Sequence, residues 1–289
     1  MVSFAAAHDS GNWMIHYGMR PIQLKQSFAT LARYVHSLTN MTGMFFLKFN
    51  ALAMVWSPNN GYGYPFNGDG FENYNPRLND PNPQRAANFR ELDTNNDGLL
   101  TNEDDPYTPY YPGDEYVDWV SLSVYNTARD PRTRQTAPAN VNIIAAYLIS
   151  PSNPRLDFYT KFAAAKNKPF MLGETGSSYV TNSPGDNSIL PDADPQAAEL
   201  AVKQSWWNSI IAGALKSNMF PLWKAAVWFE ETKMEQSYDR ADLQINRDYR
   251  ITYSDQIKNA FLNDVAGLNI VWADNLAYAC SGVVGTRRK

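Results

Sequence analysis

Lys168-Pro169-Phe170-Met171-Leu172-Gly173-Glu174-Thr175-Gly176 is a short apolar run that ends in a carboxylate and a glycine. Phe170, Leu172 and Glu174 share one parity, so in a strand they point to the same face, with the glutamate last. Outward from this stretch the same design repeats. Upstream, Phe158 and Phe162 mark a helical segment, and Tyr116 to Tyr125 forms a strand with apolar residues on both parities, as expected when both faces of a parallel sheet are covered. Leu52 to Trp56 is another strand, closed by the turn chemistry of Ser57-Pro58-Asn59-Asn60-Gly61. Before it, Pro21 opens a helix whose Leu24, Phe28, Leu31, Val35 and Leu38 form one stripe, and Val2 to Ala7 reads as an initial strand. Downstream, Asp194 caps and Pro195 starts a helix with Leu200, Trp207, Ile211 and Leu215 on one face, and a strand at Ala225 to Phe229 comes after it.

Repeated βα units predict an α/β fold of the (β/α)8 TIM-barrel type rather than a sandwich. A doubly wound sheet would satisfy the same alternation, but it usually brings a Gly-rich phosphate loop after its first strand, and the sequence has none. Five strands are placed where a barrel needs eight, so residues 1–289 are expected to form a single barrel domain that is incomplete, holding strands four to eight. Such an arc would leave strand edges unpaired, and the chain alone is expected to be insoluble, oligomeric or molten. The apolar Met44-Phe45-Phe46-Leu47-Lys48-Phe49 just before a strand reads as a longer strand, a buried turn or the product of faulty exon assignment.

Composition narrows the function. With Lys+Arg 25 against Asp+Glu 29 and a net charge of -4, the chain has no general attraction for phosphate backbones or anionic lipid, so nucleic acid and membrane are not expected as partners. No apolar run is long enough to span a bilayer, and Met1 to Ala7 lacks the basic start and apolar length of a signal peptide. The lone Cys280 excludes an internal disulfide. Abundant rings (17 Tyr, 8 Trp, 14 Phe) suit a sugar site, although most aromatic residues in any protein fill core.

Three ordered motifs, Val55-Trp56-Ser57-Pro58-Asn59, Tyr110-Tyr111-Pro112-Gly113-Asp114-Glu115-Tyr116-Val117-Asp118-Trp119-Val120 and Lys168 to Gly176, resemble glycoside hydrolase family 26, the β-mannanases and related β-glycanases. Their order matches strands five, six and seven of that barrel, with Trp228 at the end of strand eight, and the likeness runs to about Thr252. The resemblance implies an endo-acting retaining hydrolase of plant or fungal cell-wall polysaccharide, located outside the cell. Glu174 matches the nucleophile and Tyr125 the tyrosine that holds it. Trp13, Trp56, Asn59, Trp119 and Trp228 match substrate-binding positions, while closure of the core remains the alternative for Trp56 and Trp228. In the family the acid/base Glu precedes Met-Asn-Gly-x-Trp. Here the text is Ala7-His8-Asp9-Ser10-Gly11-Asn12-Trp13, which puts His8 at that position without a gap, or Asp9 with one deletion. Neither is the family's catalyst, which leaves a second expectation: an inactive carbohydrate-binding or vestigial homologue. The sequon Asn40-Met41-Thr42 suits an extracellular location but arises readily by chance.

Asp93-Thr94-Asn95-Asn96-Asp97-Gly98-Leu99-Leu100-Thr101-Asn102-Glu103-Asp104 is a calcium-loop pattern. Asp93, Asn95, Asp97, Leu99, Thr101 and Asp104 occupy positions one, three, five, seven, nine and twelve, with Gly98 at six. Asp replaces the usual Glu at the last position, and a solvated Asp/Asn loop is the competing interpretation. Calcium would be structural, ordering a rim of the substrate cleft, since glycoside hydrolysis needs no metal.

Overall fold

The computed structural model describes residues 2–5, 20–39, 53–61, 78–237, 240, 242–271, 276–278 and 284–286. The strands are β1 (Val2–Ala5), β2 (Met54–Ser57), β3 (Trp119–Tyr125), β4 (Phe170–Gly176), β5 (Tyr179–Asn182), β6 (Trp223–Trp228), β7 (Thr232–Gln236), β8 (Gln244–Asp248), β9 (Leu276–Tyr278) and β10 (Val284–Thr286). The α-helices are α1 (Pro21–Thr39), α2 (Pro83–Leu92), α3 (Ile143–Ile149), α4 (Pro195–Ile211) and α5 (Asp255–Val265). The main sheet has five strands in the order β1-β2-β3-β4-β6, the five expected from sequence. Ring closure is absent from that order among the described residues. The chain forms two compact units, Met1–Ser123 with Leu148–Gly173 and Asn269–Lys289, and Val124–Tyr147 with Glu174–Leu268.

In the first unit β1, β2 and β3 run parallel, with Val2 opposite Met54 and Val55 opposite Trp119, and the Val120 amide donates to the Pro169 carbonyl at 3.0 Å. The sheet is narrow where β2, β3 and β4 meet: Ser57 Oγ donates to Ser121 Oγ at 2.9 Å, and a Cβ on Gly173 would lie 2.3 Å from Ser121 Oγ. Glycine is required there by close approach. α1 buries Phe28, Ala29, Ala32 and Val35, close to the expected stripe, with Leu24 and Leu31 at its margins. α2 starts as its sequence dictates, with Pro83 in the first turn and Asn82 Oδ1 accepting from the Gln84 and Arg85 amides.

In the second unit the end of β4 pairs with the β6 side, the Phe229 amide donating to the Thr175 carbonyl at 2.8 Å. This unit also holds a three-stranded antiparallel sheet, ordered β5-β8-β7. α4 has the expected cap, Asp194 accepting from the Ala197 amide at 3.1 Å, and buries Trp207 and Ile211. Leu215 does not join that face and is 44% exposed. The helix widens into a π-turn over Ala212–Lys216, and an extra residue per turn rotates the later side chains by about 100°. α5 packs on α4 through Phe261 against Trp207, ring centroids 5.4 Å apart, and Asp264 accepts from Trp207 Nε1 and Gln204 Nε2 at 2.8 Å each.

Candidate active site

The C-terminal ends of β3 and β4 bring Tyr125 and Glu174 together in the second unit. Glu174 is half-buried, the last side chain of its parity before the chain leaves the sheet at Gly176. The Tyr125 phenol donates to its carboxylate. Burial above all, and then the Glu174 charge, push the Tyr125 phenol far above its ordinary value, which favours its role as the donor to that carboxylate. Tyr125, Phe229 and Tyr249 meet edge to face, with centroids 6.1 Å apart for Tyr125 and Phe229, 5.6 Å for Tyr125 and Tyr249 and 5.2 Å for Phe229 and Tyr249. A Cβ on Gly176 would come within 3.1 Å of Tyr249 and 3.4 Å of Tyr125, so glycine lets the two rings close over the strand end. Beneath, buried Trp206 donates from Nε1 to Thr175 Oγ1 at 2.9 Å and fixes the residue after Glu174.

Trp228 closes β6. Its indole Nε1 donates to the Tyr249 carbonyl at 2.7 Å and its ring meets Trp207 edge-on at 6.4 Å, yet it stays partly exposed. Its ring is thus fixed while part of its apolar surface stays open. Trp56 is different. It is 0% exposed, stacked on Phe158 at 5.5 Å and flanked by Phe162 at 4.9 Å and Tyr111 at 5.0 Å. Neither face is open to a ligand, so Trp56 closes the core and its assignment as a sugar platform is corrected. Trp119 opens β3 in the first unit and is half-buried. Asn59 bridges to Ser123 in the first unit and is half-buried. His8, Asp9 and Trp13 lie outside the described residues, as do Asn40 and Met44 to Phe49.

Several charged groups of the same unit are invisible in the sequence reading. Glu235 on β7 and Arg247 on β8 form an ion pair, Nε to Oε2 at 2.9 Å, and Arg247 Nη1 donates to Ser178 Oγ at 3.3 Å. Their strands, Thr232-Lys233-Met234-Glu235-Gln236 and Gln244-Ile245-Asn246-Arg247-Asp248, are so polar that hydrophobic alternation gives no signal. Pairing with β5 joins Val180 to Arg247, far apart in the chain. Fully buried Lys203 is ion-paired with Glu199 and with Asp248 at 3.6 Å, while Nζ donates to the Arg250 carbonyl at 2.8 Å.

The loop 93–104 is ordered by its own side chains. Asp93 accepts from the Asp97 and Gly98 amides at 3.1 and 3.0 Å, Asn95 from the Asp97 amide at 3.1 Å, and Asp97 from the Leu99 amide at 2.8 Å. Gly98 has φ 81°, the backbone region that favours glycine. Asp104, fully buried, accepts from the Thr94 amide at 2.7 Å and the Thr101 amide at 2.9 Å. The oxygen donors are of the hard kind that calcium takes. Among the described residues no group of three or more His, Cys, Asp or Glu side chains is gathered as a metal cluster.

No protein-family model matches the chain, and no curated protein matches it. Among solved structures it is distantly similar to the catalytic domain of the GH26 endo-β-1,4-mannanase of Bacillus sp. JAMB-750, with 16% identity, TM-score 0.31 and coverage of 71% of this chain and 35% of that one. It is also similar to the GH26 domain of an endo-β-mannanase/endo-β-glucanase from Prevotella bryantii, with 14% identity, TM-score 0.22 and coverage of 78% and 54%. A ruminal GH26 endo-β-1,4-mannanase gives 13% identity, TM-score 0.23 and coverage of 76% and 37%. The chain thus spans roughly a third to a half of the length of these structures.

Proposed function

We propose that this chain is a carbohydrate-active protein of the glycoside hydrolase type, with Glu174 as the nucleophile of a retaining, endo-acting hydrolysis of a β-mannan-like polysaccharide outside the cell. The observation that carries this is the half-buried Glu174 carboxylate at a strand's C-terminal end, bonded by the Tyr125 phenol and walled by rings. In that chemistry one carboxylate attacks the anomeric carbon and a second group protonates the leaving oxygen. Tyr125 orients the attacking group, and Trp228 offers a stacking face. The sequence resemblance, rather than the fold, is what names Asp9 or His8 as the proton donor and Trp13 and Asn59 as substrate-side residues. Aspartate is a methylene shorter than the glutamate such a site uses, which favours a second reading: a protein that binds the glycan without cleaving it.

Incubation with β-mannan, xylan and mixed-linkage glucan, reading both binding and new reducing ends, separates the two. Hydrolysis with retained anomeric configuration, lost by about a thousandfold or more in Glu174→Gln, supports the first. Binding without hydrolysis supports the second, and full activity in Glu174→Gln overturns the nucleophile assignment. We further propose structural calcium in the loop 93–104, on the donor spacing and the turn at Gly98. Loading would require Asp104 to exchange backbone amides for the ion.

A further inference from the structure

Leaving β4, the chain meets a series of partners in order. Glu174 accepts from Tyr125, Gly176 lies against Tyr125 and Tyr249, and Ser178 accepts from Arg247. Arg247 is almost wholly buried, and it carries Glu235, whose side chain remains 28% exposed. The other Glu235 oxygen is 3.2 Å from Nζ of the exposed Lys233. After burial, Glu174 and Tyr249, Glu235 is among the groups that raise the Tyr125 phenol, as expected of a second carboxylate near the same ring.

Burying a guanidinium costs desolvation that its ion pair barely offsets, and apolar side chains of like volume would stabilise a hairpin at least as well. The pair is therefore better explained by what it presents than by what it stabilises. It presents a carboxylate fixed in position and partly open, tied through Arg247 to Ser178, four residues beyond Glu174 in the chain. An ionised carboxylate is an acceptor with about four lone-pair sites, more than Arg247 and Lys233 use. Sugar hydroxyls are donors that complete such a set with charge-assisted bonds.

We infer that Glu235, fixed by Arg247, is a specificity-determining acceptor for sugar hydroxyls at the Glu174 site, an assignment that rests on the carbohydrate reading of that site. The test is calorimetric titration of the full chain with β-1,4-linked mannohexaose, cellohexaose and xylohexaose. The variants are Glu235→Gln and the double variant Glu235→Gln/Arg247→Gln, which leaves no buried charge unpaired. For the hexaose that wild type binds most tightly, both variants are expected to lose affinity about tenfold or more, the worth of one hydrogen bond to a charged group. Wild-type affinity in either folded variant would overturn the role of Glu235 and leave the glycan site standing. Failure of both variants to melt cooperatively would assign the pair to structure alone and equally overturn it. If wild type binds none of the three sugars, the carbohydrate reading falls, and this assignment with it.

Discussion

At the residue scale the site depends on one phenol and one carboxylate. Tyr125→Phe removes the donor to Glu174 while keeping the ring that Phe229 and Tyr249 pack against. If the chain hydrolyses glycan as proposed, this substitution is expected to lower kcat about ten- to a hundredfold with little change in melting, since a hydrogen bond to a charged group is worth about 1.5 to 3 kcal/mol. Steady-state kinetics beside a thermal melt checks this, and unchanged kcat would remove Tyr125 from the site. Asp248 is a different case. Burial raises its carboxyl, but bonds from the Arg250 guanidinium and amide, with Lys203 nearby, outweigh burial and hold it below the usual carboxylate range. A folded-state value below the unfolded one gives stability that is present above about pH 4 and is lost as pH falls through the folded value. Asp248→Asn should therefore cost about 1 to 3 kcal/mol at neutral pH, because it removes the charge that the Arg250 guanidinium bonds while Lys203 keeps Glu199, and should flatten the acid limb of a stability profile. Urea melts at pH 7 and pH 3 measure both effects, and an unchanged acid limb would refute the linkage.

At the element scale β4 and the loop 93–104 make separate claims. Gly173 faces Ser57 and Ser121 across three strands with no room for a methyl group, since a Cβ there would lie 2.3 Å from Ser121 Oγ and 2.9 Å from Ser57 Oγ. Gly173→Ala should cost about 1 to 3 kcal/mol by overpacking, and adding Ser121→Gly should recover part of it, a coupling that a double-mutant cycle reads directly. Additive losses would mean the strands are not so close. For the loop, calcium at a hundred times its dissociation constant should stabilise the fold by about 2.7 kcal/mol, and Asp93→Ala with Asp97→Ala should abolish that gain. Equal melting temperatures in calcium and in chelator would refute the site.

At the scale of the whole molecule, β6 is, among the described residues, the last strand in the hydrogen-bonded order of the main sheet, and its Val227 is 48% exposed beside half-buried Ala225 and exposed Ala226. An apolar edge strand is a template for another chain. Concentration-dependent association is expected, and Val227→Lys should shift it toward monomer. Light scattering from dilute to concentrated samples checks this, and a wild-type monomer throughout would refute it. No described helix is long and apolar enough to cross a membrane.

The five parallel strands are legible in the sequence because each is an apolar run bounded by turn residues, and helix starts are legible because Asn82-Pro83 and Asp194-Pro195 act locally. Glu174 is legible because parity and a strand end single it out, whereas Tyr125 is legible as its partner only through the family resemblance, since a strand-end tyrosine could equally be packing. Tertiary structure alone decides the rest. Whether Trp56 faces ligand or core depends on Phe158 and Phe162, more than a hundred residues away in the chain. The three-stranded sheet carries almost no apolar alternation and is held by pairing across distant segments, so nothing local announces Glu235, Arg247 or Asp248. Leu215 leaves its predicted face because one π-turn, set by packing rather than by composition, shifts the phase of the helix. Local chemistry fixes where elements begin and which way their side chains alternate, and contacts between distant segments decide which of those side chains meet.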